Sequence, residues 1–510
     1  MQQQRFNELY KSLLVDDKLI HVSRLLERAA RLWPKNTMIM CMDERITYKE
    51  LYQRSLLLAK ELHSLGVKKG KRVIIFYENS IEFYIAYFAV WQTGAIVAPL
   101  NVFLHEDELI KIIHDAEPAV IIISPQLREK LNTVPEESLP PLVTIIDKTS
   151  RLPRSIESLT YDHSDIHEVA AFLYTSGTTG FPKAVMLSSY NIIINALQGI
   201  AAFDVSASDK VFCPLPLFHS LPQNICIWSN TVLGSCAIIS PKIDRKSIMK
   251  GIASKPTMIV AIPALYGLFC LMKTLSFRRV RYFCAGGDAL SDKIRSLFAL
   301  IYGRKICNGY GLTETAPFLA VDSDDYTQPT STVGRPLQGI TCSIRDSEGK
   351  ELPAGEIGIL WVKGGNIMLG YYKAPEATAA IIRDGWLNTG DLAYLKEGKI
   401  ILAGRERDLI SNKGLKIYPQ EVENILLSHS QVLQAGVIGI KENDEEIPVA
   451  FIGSKEADTE TLINELKDLC SRHLAPYKIP RQFYIRRELP VTTTGKVDKK
   501  VLKKELAPSV

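Results

Sequence analysis

The sequence predicts an α/β protein. A large N-terminal domain of stacked, doubly wound sheets carries a small β-rich subdomain and is followed by a smaller α+β domain. Three observations carry this. Short apolar runs alternate with helix-length segments from Val73 to Cys284, the pattern of parallel strands covered by helices. From about Ser331 the texture changes to short runs separated by Gly and Pro, such as Gly358-Ile-Leu-Trp-Val362, which reads as mostly antiparallel sheet. A charged joint, Gly404-Arg-Glu-Arg-Asp408, then precedes a compact module, placing the domains at 1–405 and 406–510.

The N-terminal elements follow from local pattern. Ile20, Val22, Leu25, Leu26, Ala29 and Ala30 recur at helical spacing. Thr47 with Glu50 three residues on is a capping box for the next helix. Val73-Ile-Ile-Phe76, Ala95-Ile-Val-Ala-Pro99 and Ala119-Val-Ile-Ile-Ile123 read as buried strands, with helices over 81–91 and 107–115 between them. The polar, Pro-containing segment 124–168 joins two layers. Val169-Ala-Ala-Phe-Leu173 is again a strand, and Ser188 or Ser189 caps a helix over 190–197. Strands near 211, 235, 258 and 280 alternate with a helix over 223–233. In the last module Pro419 opens a helix to Leu427, two strands lie at 437–440 and 448–452, and a helix spans 458–474.

Composition narrows the function classes. A formal charge of +5, from 61 basic and 56 acidic side chains, is too small an excess on 510 residues to point to nucleic acid. Nine scattered cysteines without a Cys-x-x-Cys pair read as reduced, mostly buried thiols. The polar start MQQQRFNELY has no secretory apolar core, and the uncharged run 256–272 is short for a membrane span and holds Pro256 and Pro263. A cytoplasmic protein is expected.

The chemistry centres on Tyr174-Thr-Ser-Gly-Thr-Thr-Gly-Phe-Pro-Lys183. Hydroxyls at Thr175, Ser176, Thr178 and Thr179, glycines at 177 and 180 and one lysine form a donor-rich loop with no acid, an inventory that suits a polyphosphate. It departs from the common Gly-Lys-Ser/Thr nucleotide loop, and such a cluster is also found in plain solvent-exposed turns.

Five further motifs follow in order: Pro216-Leu-Phe-His-Ser220; Asn308-Gly-Tyr-Gly-Leu-Thr-Glu314; Asp384-Gly-Trp-Leu-Asn-Thr-Gly-Asp391; Gly404 to Asp408 with Gly414 and Pro419-Gln-Glu-Val-Glu423; and Pro490-Val-Thr-Thr-Thr-Gly-Lys496. With the loop at 174–183 they resemble the adenylate-forming (AMP-binding) enzymes, in particular fatty acyl-CoA synthetases, over residues 20 to 505. The resemblance implies two half-reactions with ATP, Mg2+ and coenzyme A. A carboxylate first attacks the α-phosphate, giving an acyl-adenylate and pyrophosphate; a thiol then displaces AMP. It implies that Thr175, Ser176, Gly177, Thr178, Thr179, Gly180 and Lys183 hold the β- and γ-phosphates, that Glu314 binds magnesium, and that Thr313 donates to the α-phosphate. Tyr310 would face the adenine, with Asn308 and Gly309 along its edge, and Asp391 with Arg405 would take the ribose hydroxyls. Lys496 would cover the reacting centre, on a mobile C-terminal domain that turns about Arg407. The acyl pocket would comprise Phe218, His219, Ala285, Gly286, Gly311 and Ala316.

The expected acid is a medium- or long-chain fatty acid. Amino-acid adenylating domains place an aspartate where this chain has His219, and coumarate-type ligases place lysine and glutamine where it has Ser411 and Lys416. Short-acid members place a tryptophan at the position of Gly311, so Gly311→Trp is expected to shift preference to short acids. The rival readings are transfer to an acyl carrier protein, ligation of an aryl or other carboxylic acid, and a non-catalytic acyl or nucleotide sensor. Transient membrane contact is compatible with an apolar substrate.

Overall fold

The computed structural model describes residues 2–132, 134–135, 139–145, 165–175, 182–272, 275–323, 332–412, 415–442, 445–455, 459–491 and 497–506. Two large sheets organise the N-terminal domain. The first has seven strands in the order Gly370–Tyr371, Lys183–Ser188, Val169–Thr175, Ile96–Pro99, Arg72–Phe76, Val120–Ile123 and Leu142–Val143. Pairing is parallel from Val169–Thr175 outward, as the buried runs predict. The other edge is antiparallel: Val169–Thr175 and Lys183–Ser188 form a hairpin, with Thr175 opposite Lys183. The glycine-hydroxyl loop therefore spans two antiparallel strands.

The second sheet carries the expected antiparallel strands of the β-rich part. Its parallel half runs Ile306–Gly311, Tyr282–Ala285, Met258–Ala261, Lys210–Cys213, Cys236–Ile239 and Thr37–Cys41. The antiparallel strands after Thr332 join it through Phe318–Val321, making one 14-stranded sheet. The β-rich part is thus an extension of the second sheet, because Ile306–Gly311 turns directly into an antiparallel neighbour. Thr37–Cys41 was absent from the sequence reading. It pairs in parallel with Cys236–Ile239 on one side and forms an antiparallel hairpin with Glu44–Thr47 on the other.

The largest core lies between the sheets. All twelve residues of the helix Ile81–Gln92 are buried, so this helix has no polar face and no amphipathic period. Two of its polar tips reach across the core to partners. Tyr87 Oη donates to Gln223 Oε1 at 2.9 Å, and Trp91 Nε1 donates to the Ala170 carbonyl at 3.0 Å. Thr47 accepts from the Glu50 amide at 3.2 Å while the Glu50 carboxylate accepts from the Thr47 amide at 2.9 Å, closing the expected capping box. The expected helix near 223 begins as a π-helical turn, Gln223–Ser229, and becomes α-helical over Asn230–Leu233. Eight of the nine cysteines are buried and Cys342 is half-buried, all as free thiols.

The C-terminal domain has a three-stranded sheet, Gln434–Glu442, Glu445–Gly453 and Gln482–Arg486. Helices Pro419–Ser428 and Thr459–His473 cover one face and Lys499–Leu506 the other. It meets the larger domain at two places. Lys293 Nζ donates to the carbonyls of His429 at 2.9 Å and Val432 at 3.3 Å, and Leu409 and Tyr418 pack against the cluster of Trp361 and Leu392. No helix among the described residues is long and apolar enough to cross a membrane.

Candidate active site

The strands Tyr282–Ala285 and Ile306–Gly311 run in parallel with Ala285 opposite Asn308, and they end together at a cleft of about 2630 Å3. That is well above the few hundred to ~1,000 Å3 of a single-ligand pocket, so it has room for more than one substrate. Thr175, Lys183, Phe218, His219, Ala285, Gly286, Asn308, Gly309, Tyr310, Gly311, Thr313, Glu314, Asp391, Arg405 and Arg407 all line it. Six separated stretches of sequence therefore converge here because the two sheets point their strand ends, and the hairpin its ends at Thr175 and Lys183, at one space.

At one end, Asp391 lies across the ladder from Arg405, with Arg405 Nε 3.2 Å from Asp391 Oδ1. The Tyr310 hydroxyl donates to Asp391 Oδ2 at 2.6 Å. Burial first, and then the Asp391 carboxylate, push the Tyr310 phenol above its ordinary value, so it stays protonated as a donor. An ionised carboxylate accepts more than one hydrogen bond per oxygen, which is the acceptor chemistry that a pair of ribose hydroxyls needs. Asn308 is fixed beneath: its Nδ2 donates to the Thr332 carbonyl at 3.3 Å and its carbonyl accepts from the Asp322 amide at 2.8 Å.

At the other end stands a residue that sequence reasoning missed. Tyr371 Oη donates to Glu314 Oε1 at 2.7 Å, and Lys183 Nζ lies 5.3 Å from the centre of the Tyr371 ring. Burial and then the Glu314 carboxylate raise the Tyr371 phenol, which keeps it a donor. No signal in Gly370-Tyr-Tyr-Lys373 links it to Glu314; only the two-residue strand at the sheet edge does so. No cluster of three or more His, Cys, Asp or Glu side chains capable of holding a metal occurs among the described residues. One carboxylate beside a phosphate-sized space nonetheless fits Mg2+, which keeps most of its shell as water and phosphate oxygens. The second oxygen of Glu314 would hold it.

Between the ends, Thr313 Oγ1 lies 3.5 Å from Ser220 Oγ, bringing the motif after Pro216 against the one after Asn308. The Phe218 and His219 rings are 4.3 Å apart. Burial lowers His219 to about 4, so it is neutral at physiological pH and presents an uncharged wall. The loop under Thr313 and Glu314 is held by buried amides. Asn224 Nδ2 donates to the Ala316 carbonyl at 3.0 Å, Asn195 Nδ2 to the Phe318 carbonyl at 2.8 Å, and Asn366 Nδ2 to the Thr315 carbonyl at 2.9 Å.

Two expectations for the acyl pocket are corrected. Ala316 is fully buried in the main core and does not line the cleft, because its carbonyl is turned to Asn224. Gly311 does line it, yet a Cβ there would lie 1.8 Å from the Pro317 carbonyl oxygen and 3.2 Å from the Leu319 amide nitrogen. A tryptophan cannot be placed at that position without moving the backbone, so Gly311 is required by the close approach of its own loop.

Some expected residues lie outside the described ones: Ser176, Gly177, Thr178, Thr179 and Gly180 of the loop, and Lys496. Val491 and Val497 are the nearest described residues on either side of Lys496. They bridge each other, and both line the same cleft as Thr313 and Asp391. Arg407 sits in the short 3-10 turn Glu406–Asp408 with its Nε 3.8 Å from Asp408 Oδ1.

The geometry agrees with similarity to known proteins. The profile described as AMP-binding enzyme matches residues 26–372, and that of the AMP-binding enzyme C-terminal domain matches 421–496. A long-chain-fatty-acid–CoA ligase of Bacillus subtilis is 31% identical, over 98% of this chain and 96% of its own length. A 2-succinylbenzoate–CoA ligase of Bacillus cytotoxicus is 32% identical, over 94% and 97%. The crystal structure of an anthranilate CoA ligase in complex with anthranoyl-AMP superposes with a TM-score of 0.88 at 25% identity, over 95% of this chain and 97% of that one. The chain belongs to the adenylate-forming AMP-binding enzyme family and is an ATP- and Mg2+-dependent, AMP-forming acid–CoA ligase.

Proposed function

We propose that the acid is an apolar monocarboxylate. The observation that carries this is the lining of the inner arm of the cleft, through Phe203, Leu221, Ile225, Ser229, Leu233, Met258, Val260 and Ile262. Across 199–235 and 258–271 that lining includes no lysine or arginine, and its one Asp, Asp209, is paired with Arg281 at 2.8 Å. A second carboxylate on the substrate would be buried without a partner, which costs several kcal/mol. An apolar body instead gains about 0.8 kcal/mol per buried methylene.

The expected fatty acid fits this arm, and so does an aromatic acid. The second body is supported by the likeness to an anthranilate CoA ligase, whereas the 2-succinylbenzoate–CoA ligase, at similar identity to the fatty-acid one, takes an aryl acid with a second carboxylate. The carboxyl would lie between His219 and Thr313, the adenine over Tyr310, the ribose at Asp391, and the phosphates between Glu314, Lys183 and the loop after Thr175. Lys496 supplies the charge over the reacting centre, and the domain 406–510 turns about Arg407 to exchange it for the thiol.

Thioester formation with coenzyme A, measured as kcat/KM over saturated acids of two to eighteen carbons, benzoate, anthranilate, 2-succinylbenzoate and malonate, tests the reading. The expected optimum is an apolar monocarboxylate. A maximum at malonate or 2-succinylbenzoate overturns it, and an optimum among the ring acids excludes the fatty-acid body alone. Replacing coenzyme A by a phosphopantetheinylated carrier protein separates the two acceptors.

A further inference from the structure

We propose that Tyr371 is a positioning residue for the metal–phosphate end of the site, aligning Glu314 while keeping Lys183 from neutralising it. The inference rests on the reading of Glu314 as the magnesium ligand and of Lys183 as a phosphate contact. Lys183 and Glu314 carry opposite charges and flank the same ring, yet they do not approach within ion-pair distance. The tyrosine contacts both, one through its hydroxyl and the other through its ring. Its hydroxyl occupies Oε1 of Glu314 at 2.7 Å, which fixes the carboxylate's rotation and leaves the other oxygen for the cation. Its ring face holds the Lys183 ammonium 5.3 Å from the centroid.

The tyrosine's own position is set by backbone pairing to both partners. Tyr371 is opposite Val185 in the strand that Lys183 begins. The Leu369 amide donates to the Met186 carbonyl and the Tyr372 amide to the Ala184 carbonyl, each at 2.9 Å. The Met368 amide donates to the Glu314 carbonyl at 2.9 Å. A third tie runs from the Tyr371 amide to Thr378 Oγ1 at 2.9 Å. A short edge strand thus registers the phosphate hairpin against the loop of Glu314, and Tyr371 converts that register into the placement of two charges.

A residue serving only to pack the sheet edge would be replaced by phenylalanine without consequence, and this separates the two roles. The test is calorimetric binding of ATP as a function of Mg2+, with AMP in the absence of metal as the reference for the adenine and ribose end. Tyr371→Phe is expected to raise the Mg2+ concentration needed for half-maximal ATP affinity about tenfold, the usual effect of losing a residue that orients a metal ligand. Its AMP affinity and unfolding temperature should match those of the parent. Tyr371→Leu, which also removes the ring, should in addition weaken metal-free ATP binding as Lys183 falls onto Glu314. Glu314→Gln is the control. If it raises the Mg2+ requirement and Tyr371→Phe does not, the positioning role is overturned while Glu314 keeps its metal. If neither variant changes the Mg2+ requirement, the metal reading of Glu314 fails, and the proposal with it.

Discussion

Individual side chains in this cleft are held by more bonds than their roles alone demand, and that makes their substitution informative. Asp391 is 6% exposed and already accepts from Tyr310 and pairs with Arg405. Asp391→Asn keeps the volume and loses the charge, and a hydrogen bond to a charged group contributes about 1.5–3 kcal/mol. The KM for ATP is expected to rise roughly 10- to 100-fold with unfolding temperature little changed, measured by initial rates and calorimetry. His219 gives a pH prediction. Its pKa in the fold, about 4, lies below the ordinary histidine value, so the neutral form's contribution to stability is complete above about 6.5. That contribution is lost progressively as pH falls from about 6.5 to about 4, where the unfolded chain binds a proton that the fold does not. The pH profile of kcat/KM should therefore show no limb near 6.5 that disappears in His219→Ala; a limb that does disappear would assign proton transfer to this ring.

At the scale of elements, the loop 311–318 is where local demands are tightest. Gly311 faces the Pro317 carbonyl at a distance that excludes a Cβ, while Asn195, Asn224 and Asn366 hold the loop from below. Gly311→Ala should destabilise the protein by about 1–3 kcal/mol through overpacking, seen as a lower unfolding temperature. Gly311→Trp should lose activity towards all acids alike. A folded Gly311→Trp enzyme with preserved activity and a new preference for acetate would show instead that the glycine forms the pocket floor. How far such elements can be read from sequence depends on where their energy resides. The helix after Thr47 is legible because its cap is local, and the strands at 73, 96 and 120 are legible because continuous apolar runs identify parallel strands buried on both faces. Gly370–Tyr371 is not, since a partner nearly two hundred residues away decides it. The site divides in the same way. Glu314 and Asp391 stand in recognisable motifs, whereas Tyr371, fifty-seven positions from Glu314, becomes visible only through sheet pairing.

At the scale of the whole molecule, the cleft is walled by both domains. Glu423, Asn424, Val432, Val497 and Lys499 of the C-terminal domain line the same space as Tyr310 and Glu314. Among the described residues the two domains meet through Lys293 on three carbonyls of the smaller domain and through the apolar cluster of Trp361, Leu392, Leu409 and Tyr418. Lys496→Ala should nearly abolish adenylate formation while still converting supplied acyl-adenylate to thioester. Arg407→Pro should do the reverse, since proline fixes the φ that a hinge must change. Equal loss of both steps in both variants, with unfolding temperatures unchanged, would contradict the alternation of domains. The most direct measurement of all is the exchange of labelled pyrophosphate into ATP without coenzyme A, across the same acid panel. Exchange that requires both Mg2+ and an apolar acid, and that falls to background in Lys496→Ala, is the expected result. Exchange that is independent of any acid, or absent with every acid while the protein binds ATP, would contradict adenylation at this site.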